Sequence, residues 1–162
     1  MAYTIRPYTD GDAEGIAAVL ADAIRIIGPH AYSAEQVAAW SARHPGPDAI
    51  HARVEKGAAI VRAADAEDRP VAYALLEPDG HLDHLYCHPA HTQRGLAVEL
   101  LMAAEEMARA NGCTRLFTEA SELARPAFER AGYKVLHRRD FTIEHEGVPV
   151  AIHNYAMEKP LA

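Results

Sequence analysis

Apolar positions along the chain change their spacing several times, and each change marks an element. Tyr3 to Tyr8 alternates and predicts a strand. Thr9 and Asp12 have the spacing of a capping box, and Ile16, Leu20, Ile24 and Ile27 then recur at helical intervals until Gly28-Pro29 ends the run. Ser33 with Gln36 repeats the capping pattern, and Val37 with Trp40 predicts a second, shorter helix ending before Pro45 and Pro47. Ala58 to Ala64 and Pro70 to Leu76 are strand-length apolar runs joined by the charged turn Asp65 to Arg69, which predicts an antiparallel hairpin. Asp79-Gly80 turns the chain into a third strand, His81 to Cys87. From Gly95 to Asn111, Leu96, Leu100, Leu101, Ala104, Met107 and Ala108 keep a helical period that Gly112 terminates. Leu116 to Ala120 reads as a strand and Ala124 to Ala131 as a helix with Pro126 in its first turn, stopped by Gly132. Tyr133 to Ile143 and Val150 to Met157 flank Glu146-Gly147 as a closing hairpin. The order β-α-α-β-β-β-α-β-α-β-β predicts an α/β fold with a mixed, mostly antiparallel central sheet and helices on both faces.

Composition narrows the function classes. At 162 residues, without repeat, low-complexity tract or charge block, the chain is expected to form one domain over 1–162. Sixteen Lys and Arg against 23 Asp and Glu give a net charge of −7, which argues against a nucleic-acid binder, since such proteins neutralise phosphates with a basic surface. No apolar run reaches the roughly 18 residues of a membrane span, and the first residues lack the basic and apolar stretches of a signal peptide. A cytoplasmic location is the expectation, and a homodimer is left open. Cys87 and Cys113 form no disulfide framework and no C-x-x-C metal pattern, so both are expected to be reduced.

The most informative segment lies between the third strand and the long helix. His88 to Ala97 reads HPAHTQRGLA, and its glycine-bearing turn leads directly into the helix. Such a turn presents unpaired backbone N–H groups and the positive end of the helix dipole to one point, where phosphate binds, and Arg94 adds a charge-assisted contact. Leu85-Tyr86-Cys87 followed by Thr92-Gln93-Arg94-Gly95-Leu96-Ala97 resembles motif A of the GNAT superfamily of acyl-CoA-dependent N-acyltransferases, and Ser121 to Tyr133, SELARPAFERAGY, resembles its motif B. The resemblance implies the GNAT fold and transfer of an acetyl group from acetyl-CoA, as co-substrate, directly to a primary amine of a small molecule or protein. It places the co-substrate against Leu85, Tyr86, Cys87, Thr92, Gln93, Arg94, Gly95, Leu96, Ala97, Val98, Ser121 and Phe128. Three positions depart from the pattern. Thr92 replaces Gln or Arg, Ser121 replaces an Asn that contacts the cofactor arm, and Phe128 replaces a Tyr thought to protonate the leaving thiolate. A catalytically silent acyl-CoA-binding module is the rival reading that Phe128 and Thr92 motivate.

Acyl transfer to an amine needs a neutral amine, a polarised carbonyl and a stabilised thiolate. His81 and Asp83 lie two apart on a strand and share a face, and they occupy strand positions at which several GNAT enzymes carry bases. Either is a candidate base, and Asp83 is also a candidate to orient His81 or to bind the substrate ammonium. Alternation points His84 to the opposite face. His81, Asp83, His84, His88 and His91 include metal-ligand types, but alternation and the turn keep them apart, so no metal is expected. Cys87 reads as a small core residue rather than a nucleophile. Trp40 with Tyr32 either lines an acceptor pocket or anchors the core, and Tyr155 either joins the active-site floor or is an ordinary strand aromatic.

Overall fold

The computed structural model describes residues 2–162, and the elements follow the predicted order with one addition. Strand β1 (Thr4–Pro7) leads through a 3₁₀ turn to helix α1 (Ala13–Asp22), which continues as a π-helical turn over Ala23–Ile27 and a 3₁₀ turn over Gly28–His30. Helix α2 (Ala34–Ala42) starts at the Ser33/Gln36 capping box, where the Gln36 amide donates to Ser33 Oγ at 3.1 Å and the Ser33 amide donates to Gln36 Oε1 at 2.8 Å. Helix α3 (Pro47–Glu55) is the addition. Pro45 and Pro47 were read as the end of a helix, yet Pro47 occupies the first turn of another, where its missing N–H costs nothing and Asp48 complements the dipole.

Strands β2 (Ala59–Ala64), β3 (Pro70–Leu76) and β4 (Leu82–Cys87) follow, then α4 (Leu96–Ala110), β5 (Arg115–Ala120), α5 (Arg125–Arg130) and the long hairpin β6 (Lys134–His145) and β7 (Val148–Pro160). The expected central sheet opens into two antiparallel parts, β1-β2-β3-β4 and β5-β7-β6, joined at one parallel bridge between His81 and Phe117. Gly80 makes this junction fit, because its φ of 97° suits glycine and a Cβ there would overlap the Arg115 carbonyl. Among the described residues, no helix is long and apolar enough to cross a membrane.

Both faces of the first sheet are covered, which explains why β2 and β3 are apolar apart from the buried Arg62, whose charge is met by Asp12 and Asp68. One face packs Val61, Ala74 and Leu76 against Leu96, Leu100 and Leu101 of α4. The other packs Ile60, Tyr73 and Leu75 against Ile16, Leu20 and Ile24 and Ile50 of α3. Leu100 and Leu101 are fully buried, so truncating either to Ala should cost about 2–5 kcal/mol. Smaller contacts of Tyr32 and Ala39 with Ile143, Val150 and Ile152 dock α2 on the β6–β7 hairpin.

Candidate active site

β4 and β5 start side by side and then part. Beside their bridge, the Phe117 amide donates to Gly80 O at 3.1 Å and the Thr118 hydroxyl to Leu82 O at 2.6 Å. Beyond these contacts the strands belong to different sheets, so the β4 edge from Asp83 to Cys87 that faces away from β3 has no strand partner. Backbone groups on such an edge are available to a bound chain-like ligand. Past β4, the left-handed residues Gln93 (φ 61°) and Gly95 (φ 77°) tip the chain into α4. No side chain caps this 15-residue helix, the turn is exposed, and a Cβ on Gly95 would meet nothing within 4 Å. The first α4 amides therefore offer an open anion site at the positive end of the helix dipole. Arg94 flanks it, donating to Tyr3 Oη at 2.8 Å, while that hydroxyl pairs with His91 Nδ1 at 2.9 Å.

A charged cluster occupies the junction. His81 stacks on Phe117 and lies between two carboxylates, with Nε2 2.8 Å from Glu119 and Nδ1 2.9 Å from Glu77. The Glu119 hydrogen bond, aided by Glu77 and opposed by burial, raises its pKa to about 9, so the ring is an imidazolium at neutral pH. Arg53 on α3 donates to Asp83 Oδ2 at 2.7 Å and lies 3.3 Å from Glu77. Burial pushes the Asp83 carboxyl up, but the Arg53 guanidinium and the His81 imidazolium outweigh this and hold it below the usual range.

Strict alternation fails here. Leu75 pairs with His84 and Leu76 with Leu82, so Asp83 is an extra residue in a β-bulge. His81 and Asp83 still meet, at 3.8 Å, but His84, expected on the opposite face, comes within 3.7 Å of Asp83. His84 is buried, pairs with the Tyr73 hydroxyl at 2.9 Å, and has its pKa pushed down to about 3 by burial, so it is neutral. Its ring is met edge-on at 5.2 Å by His44, just past α2. Burial, with Arg43 beside it, lowers the His44 pKa, and neither of its ring nitrogens has a hydrogen-bond partner among the described residues.

A cavity of about 790 Å³ lies between this cluster, the β4 strand and the second sheet. Trp40, Arg43, His44 and Ile50 form one wall, Asp83 to Tyr86 a second, and Glu119, Ser121, Arg139, Phe141 and Asn154 of the second sheet a third. Residues 29–154 match the model of the acetyltransferase (GNAT) domain. The chain belongs to the GNAT acetyltransferase family. It is 31% identical to the GCN5-related N-acetyltransferase "Aminotransferase, Class-II" from Rhodopseudomonas palustris, with a TM-score of 0.84 over 99% of this chain and 97% of that one. It is 26% identical over 135 residues to the Escherichia coli protein named uncharacterized N-acetyltransferase YafP, covering 83% of each chain. The PaiA N-acetyltransferase of Thermoplasma acidophilum, solved with coenzyme A, shares the fold at 18% identity, with a TM-score of 0.77 and 99% of each chain covered.

The expected site residues of this GNAT domain fall into groups. Leu85, Tyr86 and Cys87 lie on the open β4 edge, and Thr92, Gln93, Arg94, Gly95, Leu96, Ala97 and Val98 form the turn and first α4 residues. Thr92 turns its hydroxyl back to Pro89 O at 3.3 Å. Ser121 Oγ accepts the Ala124 amide at 3.1 Å, so it caps the approach to α5 and keeps its hydroxyl proton and one lone pair for other partners. Phe128 is buried against Tyr133 with ring centres 4.9 Å apart, and also borders the cavity. Burial raises the Cys87 thiol pKa to about 11, which disfavours a thiolate nucleophile.

The remaining expected residues have other surroundings than the strand pattern implied. His81 was a candidate base, but its proton is already held between two glutamates. Tyr155, a candidate for the active-site floor, is not in the cavity wall: its hydroxyl donates to Glu122 at 2.8 Å and Arg125 covers its ring. The separation of potential metal ligands also changes, since His81, Asp83 and Glu119 converge closely enough to offer one donor atom each to a cation. The proton on His81 and the Arg53 guanidinium already neutralise much of that cluster. Reading the sequence alone missed His44, Arg53, Glu77, Glu119 and Arg139. Pro47-Asp48 was the available signal for α3 and hence Arg53, while the others carry no local signature.

Proposed function

We propose that this chain is an N-acetyltransferase that moves the acetyl group of acetyl-CoA directly to a primary amine of a small-molecule or protein acceptor. The observation that carries the reading is the open β4 edge running into the uncapped N-terminus of α4 beside the cavity. The α4 amides would hold the pyrophosphate and the β4 edge the extended arm, leaving the thioester near Tyr86 and Cys87. Attack by the amine nitrogen forms the C–N bond of the amide, the C–S bond breaks, and the thiolate takes up a proton.

The proton lost from the amine requires an acceptor that is unprotonated at neutral pH. His44 fits best, being half-buried, uncharged at neutral pH and without a competing hydrogen bond. Asp83 and Glu119 attract the incoming ammonium, and the His81 imidazolium fixes Glu119. Thiol release from acetyl-CoA with an amine panel, together with mass spectrometry of the product, tests the reading. Amine-dependent thiol release with N-acetyl product supports it, whereas tight acetyl-CoA binding without transfer to any amine would favour the silent binding module.

A further inference from the structure

We propose that the acceptor is an amine that also carries an anionic group, a carboxylate or a phosphate, and that Arg139 seats that group. This deepens the acetyltransferase reading of the same cavity and rests on it. On the cavity wall Arg53 is already paired with Asp83 and Glu77, and Glu119 with His81. Arg139 is different. It is half-buried, and its Nη1 donates to the neutral Asn154 Oδ1 at 2.9 Å, while its guanidinium covers the Phe141 ring at 5.2 Å. Neither neighbour supplies negative charge, and four of its five N–H donors remain for a ligand. Arg43, across the cavity, likewise has no ion pair among the described residues.

Strand register sets the two poles of the site. Glu119 on β5 pairs with Ala156 on β7, and Asn154, two residues away on β7, pairs with Arg139 on β6. Paired residues share a face, so Glu119 and Arg139 project from the same side of the second sheet. Two strand spacings and a two-residue offset put their backbones about 12 Å apart, with both side chains reaching into the intervening space. Glu144 also borders the cavity, but it is five positions along β6 from Arg139 and has the opposite parity. Arg138, next in sequence, is tied to Asp140 at 3.0 Å and faces away. The cavity therefore has an acidic pole at the β4–β5 opening and a cationic pole on β6. An ammonium at the first and an anion at the second satisfy both, and a planar arginine fork suits carboxylate or phosphate equally.

The test uses matched pairs: L-phenylalanine against its amide, glycine against glycinamide, and phosphoethanolamine against ethanolamine, each with acetyl-CoA. The expected result is that the anionic member of at least one pair has a kcat/KM at least about tenfold higher, the order of one charge-assisted contact. Comparing the first two pairs with the third separates carboxylate from phosphate. Arg139→Gln should abolish the preference chiefly through KM, Arg139→Lys should restore part of it, and Arg138→Gln should retain it. Equal use of both members, or a preference that survives Arg139→Gln, overturns the proposal. Calorimetric binding of the same pairs needs no turnover: anion-selective binding lost in Arg139→Gln supports the proposal even if no thiol is released, and that second result would count against the acetyltransferase reading alone. Equal binding of both members overturns the proposal whatever the activity.

Discussion

The two parts of the site are built from different materials. At the α4 end, recognition comes from main-chain amides, a left-handed glycine and an open strand edge, with side chains in minor roles. At the opposite end, side chains from α2, α3, β4, β5, β6 and β7 converge, and their charges rather than their backbones define the chemistry. A site of the first kind tolerates changed side chains such as Thr92 and Ser121 but depends on backbone conformation. A site of the second kind has the reverse sensitivity.

The largest expected effect tests the side-chain end. If His44 takes the amine proton, His44→Gln should lower kcat about a hundredfold or more while leaving acetyl-CoA affinity close to the parent's. Because the folded protein depresses the His44 pKa, the parent's acid limb in kcat/KM should fall below the ordinary histidine value of about 6.5. The variant should lack that limb. Parent-like turnover in His44→Gln would return the proton to Asp83 or to water.

Next in size is a backbone test at the other end. Gly95 has a φ of 77°, so Gly95→Val carries strain of about 1–3 kcal/mol that the turn relieves only by changing shape. Acetyl-CoA affinity measured by calorimetry should drop roughly 5- to 150-fold. Arg94→Ala, which removes an exposed side chain, should cost less than about fivefold. Equal, small losses in both variants would erase the contrast between the two ends.

A smaller effect concerns stability. The folded-state pKa of His81 is raised, so its contribution is fully present below the unfolded value of about 6.5 and is lost as pH rises through about 9. Glu119→Gln removes the largest cause of that shift. Thermal midpoints of the parent should decline more steeply between pH 6.5 and 9 than those of the variant, and parallel curves would mean that His81 is not held as an imidazolium.

These tests also separate what the sequence could reveal from what required folding. Gly95, the α4 periodicity and the Asp79-Gly80 turn are local patterns with local causes, so the fold order and the anion turn were legible. Helix α3 was hidden because prolines end and begin helices alike, and Asp48 alone had to distinguish the cases. The bulge at Asp83 was invisible to alternation, which assumes one residue per position, and it reverses where His84 lies relative to Asp83. The charge on His81 depends on Glu119, 38 positions away, and the neutrality of His44 on its packing against His84 and Tyr86. The role proposed for Arg139 depends on its having no acid partner among the described residues, which no spacing announces.

The smallest effect is expected at Tyr155, and it bears on how the enzyme manages with Phe128 in place of a tyrosine. A hydroxyl that protonates the leaving thiolate must reach the sulfur, but Tyr155 donates to Glu122, lies under Arg125 and does not line the cavity. Its hydrogen bond to the Glu122 carboxylate raises its pKa, making it a still weaker acid. The CoA thiolate has a proton affinity near that of cysteine, with a pKa of about 8.5, so water or the proton released by the amine can serve it at neutral pH. Tyr155→Phe should therefore keep kcat within about tenfold of the parent, a barrier change below about 1.4 kcal/mol. A hundredfold loss with acetyl-CoA still bound would show that Tyr155 swings from Glu122 into the cavity during turnover, and that the side-chain end supplies the acid as well as the base.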